Sequence, residues 1–106
     1  MDNDFERMDY RSSDGSQQFD FVFMDCGPSV GWRIYIINRI KYGLFRDTSS
    51  HATHRLHAPG ETYDYICWAG KISTLEDAKK IAAMWADVTS IYIRRGGTFD
   101  SIARNL

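Results

Sequence analysis

Residues 73 to 95 restrict the fold more than any other stretch. Ser73-Thr74-Leu75-Glu76 has the form of a capping box, in which a hydroxyl and a carboxylate three residues on satisfy free backbone amides reciprocally. Leu75, Ala78, Ile81, Ala82, Trp85, Val88, Thr89 and Tyr92 then recur at three- and four-residue steps, the spacing of one helix face. Glu76, Asp77, Lys79, Lys80, Ala83, Asp87 and Ser90 take the other side. Acidic residues open the segment and Arg94-Arg95 close it, as the helix dipole favours, and Gly96-Gly97 supplies the stop. The pattern predicts one amphipathic helix over 73–95. After Ala83 the apolar stripe broadens, because Met84 and Ile91 sit beside the main face. One small sheet does not cover that width, so either the N-terminal segment folds over it or a partner does.

The sheet is read from alternation. Trp32, Ile34, Ile36 and Ile40 share one face of a strand over 32–41, interrupted by Asn38, while Arg33, Tyr35, Ile37, Arg39 and Lys41 share the other. Phe19 to Met24 is a second strand, ended by the turn residues Gly27 and Pro28. Strands over 52–57 and 62–69 flank Ala58-Pro59-Gly60-Glu61, a sequence suited to a type II turn. A tight connection there opposes Leu56 to Tyr63 and Arg55 to Asp64, with Leu56, Tyr63, Tyr65 and Cys67 on one face. The expectation is therefore an α+β fold, an antiparallel sheet of three to four strands packed against one long helix. Residues 1–18 lack apolar periodicity and read as a flexible polar tail with a short helical turn around Phe5 to Met8. Residues 19–106 form the single domain, its end docking through Phe99 and Ile102.

Composition narrows the classes of function. A chain of 106 residues suits one domain, and 43% hydrophobic with 25% charged residues is an ordinary globular balance. A net charge of −1 lacks the basic excess that supplies affinity for nucleic acid. No apolar run reaches the roughly 18 residues that a membrane span needs, and the acidic N-terminus lacks the order of a signal peptide. Cytoplasmic location is the expectation, with Cys26 and Cys67 as reduced thiols.

The chemistry-bearing residues form no strong motif. His51, His54 and His57 recur every third residue, but on a strand the outer two lie about 20 Å apart and the middle one points away. Metal binding is not expected. Cys26 would need a nearby histidine and an electropositive setting to act as a nucleophile, and Asp25 opposes that. Cys67 reads as packing. No carboxylates pair at a catalytic spacing. Arg33, Tyr35, Arg39 and Lys41 give the 32–41 strand a basic face with a ring in it, which suits single-stranded nucleic acid. Trp85 reads as a core anchor, and one of the three tryptophans as an interface anchor.

These features point to a small non-enzymatic interaction module without cofactor or metal. It would bind a protein partner or pair as a homodimer, acting as a regulator or inhibitor. Met84, Ile91 and Trp68 are the expected partner-binding residues. The alternatives are a single-stranded nucleic-acid binder using Arg33, Tyr35, Arg39 and Lys41, and a small Cys/His-dependent enzyme.

Overall fold

Alternating aromatic residues build the centre of the molecule. In the computed structural model, which describes residues 5–106, Phe19, Phe21 and Phe23 all lie fully buried on one face of a five-stranded antiparallel sheet. The strands are β1 (Phe5–Arg11), β2 (Gln18–Asp25), β3 (Trp32–Ile36), β4 (Arg55–Leu56) and β5 (Asp64–Ile66). Their spatial order is β1-β2-β3-β5-β4. The helices are α1 (Ser50–Thr53), α2 (Leu75–Arg95) and α3 (Phe99–Arg104). The fold is α+β, as the alternation and the capped helix imply. No helix is long and apolar enough to cross a membrane, among the described residues.

Helix α2 covers the aromatic face. Ala78, Ala82 and Ala86 let its backbone approach the sheet, and Trp85 fills the centre with only 1% of its surface exposed. The indole stands edge-on to Phe19 and Phe21, with ring centroids 5.7 and 6.2 Å away. Its Nε1–H donates to the Thr53 carbonyl at 3.1 Å, so the buried polar tip is satisfied. Ile34, Ile36, Ile66, Ile72, Val88 and Phe99 complete the core. The helix starts two residues later than expected: Thr74, not Ser73, caps it, its hydroxyl accepting from the Asp77 N–H at 3.0 Å. At the far end the Gly96 N–H returns to the Tyr92 carbonyl.

The N-terminal region corrects the sequence reading most. Residues 5–11 are strand, not tail or helical turn, and pair along their whole length with β2. Residues 1–4 of the expected tail lie outside the described residues. Charges stand on both faces of β1, Arg7, Asp9 and Arg11 on one and Glu6 on the other, so only Met8 and Tyr10 mark its core-facing side. Ser12 to Gln17 make the connecting turn, with Gly15 at a φ of 76°. That turn folds over α2: Ser90 Oγ and Arg94 Nε donate to Asp14, while Tyr10 and Ser13 donate to Asp87. The chain's own N-terminal hairpin therefore covers part of the wide helix, and α3 adds Phe99, Ile102 and Ala103 to the same core.

Three strands are shorter than the alternation suggests, and of the one expected over 62–69 only Asp64–Ile66 is strand. β3 ends at Ile36 because the Asn38 side chain takes over the ladder, accepting from the Asp20 N–H and donating to the Gln18 carbonyl. The expected strand over 52–57 opens as the helical turn α1, capped by Ser49, and only Arg55–Leu56 extend. The turn at Ala58–Glu61 forms, with Glu61 N–H bonded to the Ala58 carbonyl and Gly60 at a φ of 82°. It sits inside a longer loop, because a type II turn does not match strand twist. Leu56 consequently faces Tyr65 instead of Tyr63, and Arg55 faces Ile66 instead of Asp64. A shift of two residues is one strand period, so the expected faces survive the wrong register.

The β2–β3 connection is anchored to the approach to α2. Trp32 N–H donates to the Ile72 carbonyl at 2.8 Å, and Gly31 packs against that same carbonyl. Its φ is +83°, and a Cβ there would collide with Ile72.

Candidate protein-interaction site

The sheet has a second face that no helix of the described residues covers. Strand pairing writes its composition row by row. Phe5, Met24 and Arg33 lie side by side in one row, and Arg7, Val22, Tyr35, Tyr65 and Leu56 form the next. Asp9 and Asp20 begin a third, where Ile37 N–H still donates to the Asp20 carbonyl. The result is an apolar floor with charges set into it.

Between β1 and the 60–63 loop this face sinks into an open trough of 610 Å³ lined by Phe5, Val22, Met24, Tyr35, Ile37 and Tyr63. Phe5 is 50% exposed and Tyr63 43%, so large apolar area meets solvent here. Glu61 forms the wall, its carboxylate accepting from the Tyr35 hydroxyl at 3.0 Å. Burial first, and then the hydrogen bond to Glu61 with its charge, push the Tyr35 hydroxyl above its ordinary pKa, against the hydrogen bond and charge of Arg33. It stays a neutral donor. Arg33 lies over the Tyr65 ring at 4.2 Å, and Arg7 bonds Asp20 at 2.8 Å.

The rim of Val30 and Leu56 continues the apolar surface beside Trp68, which is 45% exposed. Of the three residues expected to bind a partner, Trp68 is the one that stands open. Met84 is half-buried and packs on the core, and Ile91 is half-buried on α2.

The expected basic face is split. Arg33 and Tyr35 lie on the open face, but Arg39 and Lys41 follow the end of β3 and belong to a loop. Tyr35 is itself buried with its hydroxyl engaged, a poor platform for a stacking base. The three histidines separate as well. His51 is in α1, His54 stacks on Phe99 with centroids 4.1 Å apart, and His57 pairs with Asp64 at 2.9 Å. No group of three or more potential metal ligands occurs among the described residues. The Cys26 thiol is directed at the Met24 carbonyl, 3.7 Å away.

A second hollow of 440 Å³ lies where β3 ends, lined by Arg39, Tyr42, Arg55, His57 and Asp64 among others. Arg55 spans Tyr42 and Asp64, and burial drives the Tyr42 hydroxyl up to about 12. Beyond it the loop carries Leu44 and Phe45, 94% and 91% exposed.

The part of the open face that β1 carries, Phe5, Arg7 and Asp9, is not read from the sequence because residues 5–11 read as tail. Asp14-Gly15, between the alternating runs of residues 5–11 and 18–25, was the available hairpin signal. Comparison of the chain with protein-family models, with curated proteins and with solved structures finds no match, and the surface itself is what bears on function.

Proposed function

We propose that this chain is a small non-enzymatic interaction module that binds protein through the uncovered face of its sheet. The observation that carries the reading is the trough bounded by Phe5, Val22, Met24, Tyr35 and Tyr63. A contiguous apolar surface rimmed by charged groups is the usual mark of a protein-binding site. Arg7, Arg33 and Glu61 supply the rim, and aromatic rings and arginine are the groups that dominate binding energy at interfaces. Trp68 lies at the margin of this surface, Met84 packs against the core, and Ile91 is half-buried on α2.

The test is affinity capture with the intact chain from the cells that produce it, comparing wild type with Met24→Glu and Tyr63→Glu. Partner recovery should drop at least tenfold in both variants while their thermal unfolding stays close to wild type. Equal recovery by wild type and both variants overturns the reading.

A further inference from the structure

We infer that the partner includes a second copy of this chain, joined by antiparallel pairing of the two Phe5–Arg11 strands about Met8. The inference rests on the interaction-module reading and adds the free edge of the same sheet to its binding surface. β1 ends the strand order, so one side of its backbone has no strand beside it among the described residues. It carries no proline, and its register with β2 runs without a bulge. It is long enough to act as a template for another strand.

The ladder determines which β1 groups point outward. Ile37 N–H donates to the Asp20 carbonyl, and Asp20 N–H donates to the Asn38 side chain. Asp20 therefore turns its backbone groups toward β3, and alternation turns those of Phe19, Phe21 and Phe23 toward β1. Their partners there are Tyr10, Met8 and Glu6. Phe5, Arg7, Asp9 and Arg11 are left with N–H and C=O groups directed out of the free edge.

A second copy can bond to these groups only by offering its own outward residues, which restricts the possible registers. Pairing centred on Arg7 sets Arg7 against Arg7. Pairing centred on Asp9 sets Asp9 against Asp9 and Arg7 against Arg11. Pairing centred on Met8 sets Arg7 against Asp9 twice by symmetry, places Phe5 against Arg11, and uses the full strand. Opposite charges facing each other across a ladder are favourable and like charges are not. Pairing centred on Tyr10 also sets Asp9 against Arg11 but uses only the end of the strand, so charge and length together select the Met8 register. The guanidinium of Arg11 then comes against the half-exposed Phe5 ring.

The chain's own arrangement leaves a place for this contact. Arg7 is engaged by Asp20, while Asp9 stands directly opposite Asp20 with no cation in salt-bridge contact among the described residues. Hydrogen bonding and charge from Asp20 raise the Asp9 pKa, against the weaker pull of Arg7, which is committed to Asp20. Arg7 of a second copy would supply that charge. Charges on an edge strand discourage pairing with arbitrary strands, and this alternating pattern still admits its own copy.

The experiment is sedimentation velocity of the full chain over a concentration series, for wild type, Asp9→Arg and the swap Arg7→Asp/Asp9→Arg. Circular dichroism would confirm folding of each. Wild type should dimerise, Asp9→Arg should weaken the dimer about tenfold or more, and the swap should restore it. Asp9→Pro removes an outward N–H without touching the bonds to β2, and should also give a monomer. A dimer unaffected by Asp9→Arg and Asp9→Pro overturns the inference. A wild-type monomer that still captures a Met24-sensitive partner overturns it too, yet leaves the interaction-module reading standing. A monomer that captures nothing removes both.

Discussion

The two faces of β2 share one backbone and meet opposite fates. Phe19, Phe21 and Phe23 are fully buried beneath α2, whereas Gln18, Asp20, Val22 and Met24 face the uncovered side. The buried face is uniform, with aromatic rings packed on alanines and one indole. The uncovered face is mixed, with Val22 and Met24 among Arg7, Arg33, Asp9 and Asp20. A core selects for shape and lack of polarity, while a surface that must stay soluble and still bind needs apolar area broken by charge. Substitutions on the first should cost stability, and substitutions on the second should cost association.

Trp85→Ala breaks the comparison at its strongest point. It empties the centre of the aromatic face and leaves the Thr53 carbonyl unpaired, so chemical denaturation should register a loss of about 3–5 kcal/mol. A much smaller loss would mean that the buried face is not what holds the molecule together.

Asp14→Asn comes next, because Asp14 ties the N-terminal hairpin to α2. It accepts from Ser12, Ser16, Ser90 and Arg94, and the expected loss near neutral pH is about 1–2 kcal/mol. Partial burial works to raise the Asp14 carboxyl, but the bonds from Ser16, Ser12 and Ser90 outweigh it and hold the group well below its ordinary 3.8. A depressed folded pKa stabilises fully above the ordinary value and loses that contribution as pH falls below it. Denaturation midpoints over roughly pH 2 to 5 should therefore vary less in Asp14→Asn than in wild type. Asp9 runs the other way, since Asp20 raises its pKa and acid relieves their repulsion.

On the uncovered face, Met24→Glu should change stability by no more than about 0.5–1 kcal/mol while lowering partner capture at least tenfold. A large loss of stability would show that this face is structural. The smallest effect should come from Leu44→Ser with Phe45→Ser, within about 0.5 kcal/mol in thermal or urea unfolding, because both side chains are almost wholly in solvent.

Several features were legible before any coordinates. Helix α2, its stripe through Trp85, the β2 and β3 alternations and the turn at Ala58–Glu61 all follow from spacing within a few residues. Even the hairpin faces survived a register read two residues out, because the side-chain period of a strand is two. The proposed binding surface was less legible. Met84 and Ile91 stand beside a helix stripe wider than one small sheet covers, and the chain's own hairpin and α3 take up part of that width.

Order within short stretches is therefore written in the residues themselves: a capped helix, alternating strands and a turn, each set by periodicities and backbone preferences that neighbouring residues carry. Tertiary structure decided the rest. Whether residues 5–11 are tail or strand depended on β2 lying beside them, since Met8 and Tyr10 alone offer too little apolar surface to declare a strand. Where β3 stopped depended on Asn38 reaching Asp20 and Gln18, some twenty residues back in the chain. Which half of the sheet stayed open depended on the single long helix, because one helix can cover only one face. Pairings between distant segments carry no signature in either segment alone, and in this protein they are what created the uncovered face and its free edge.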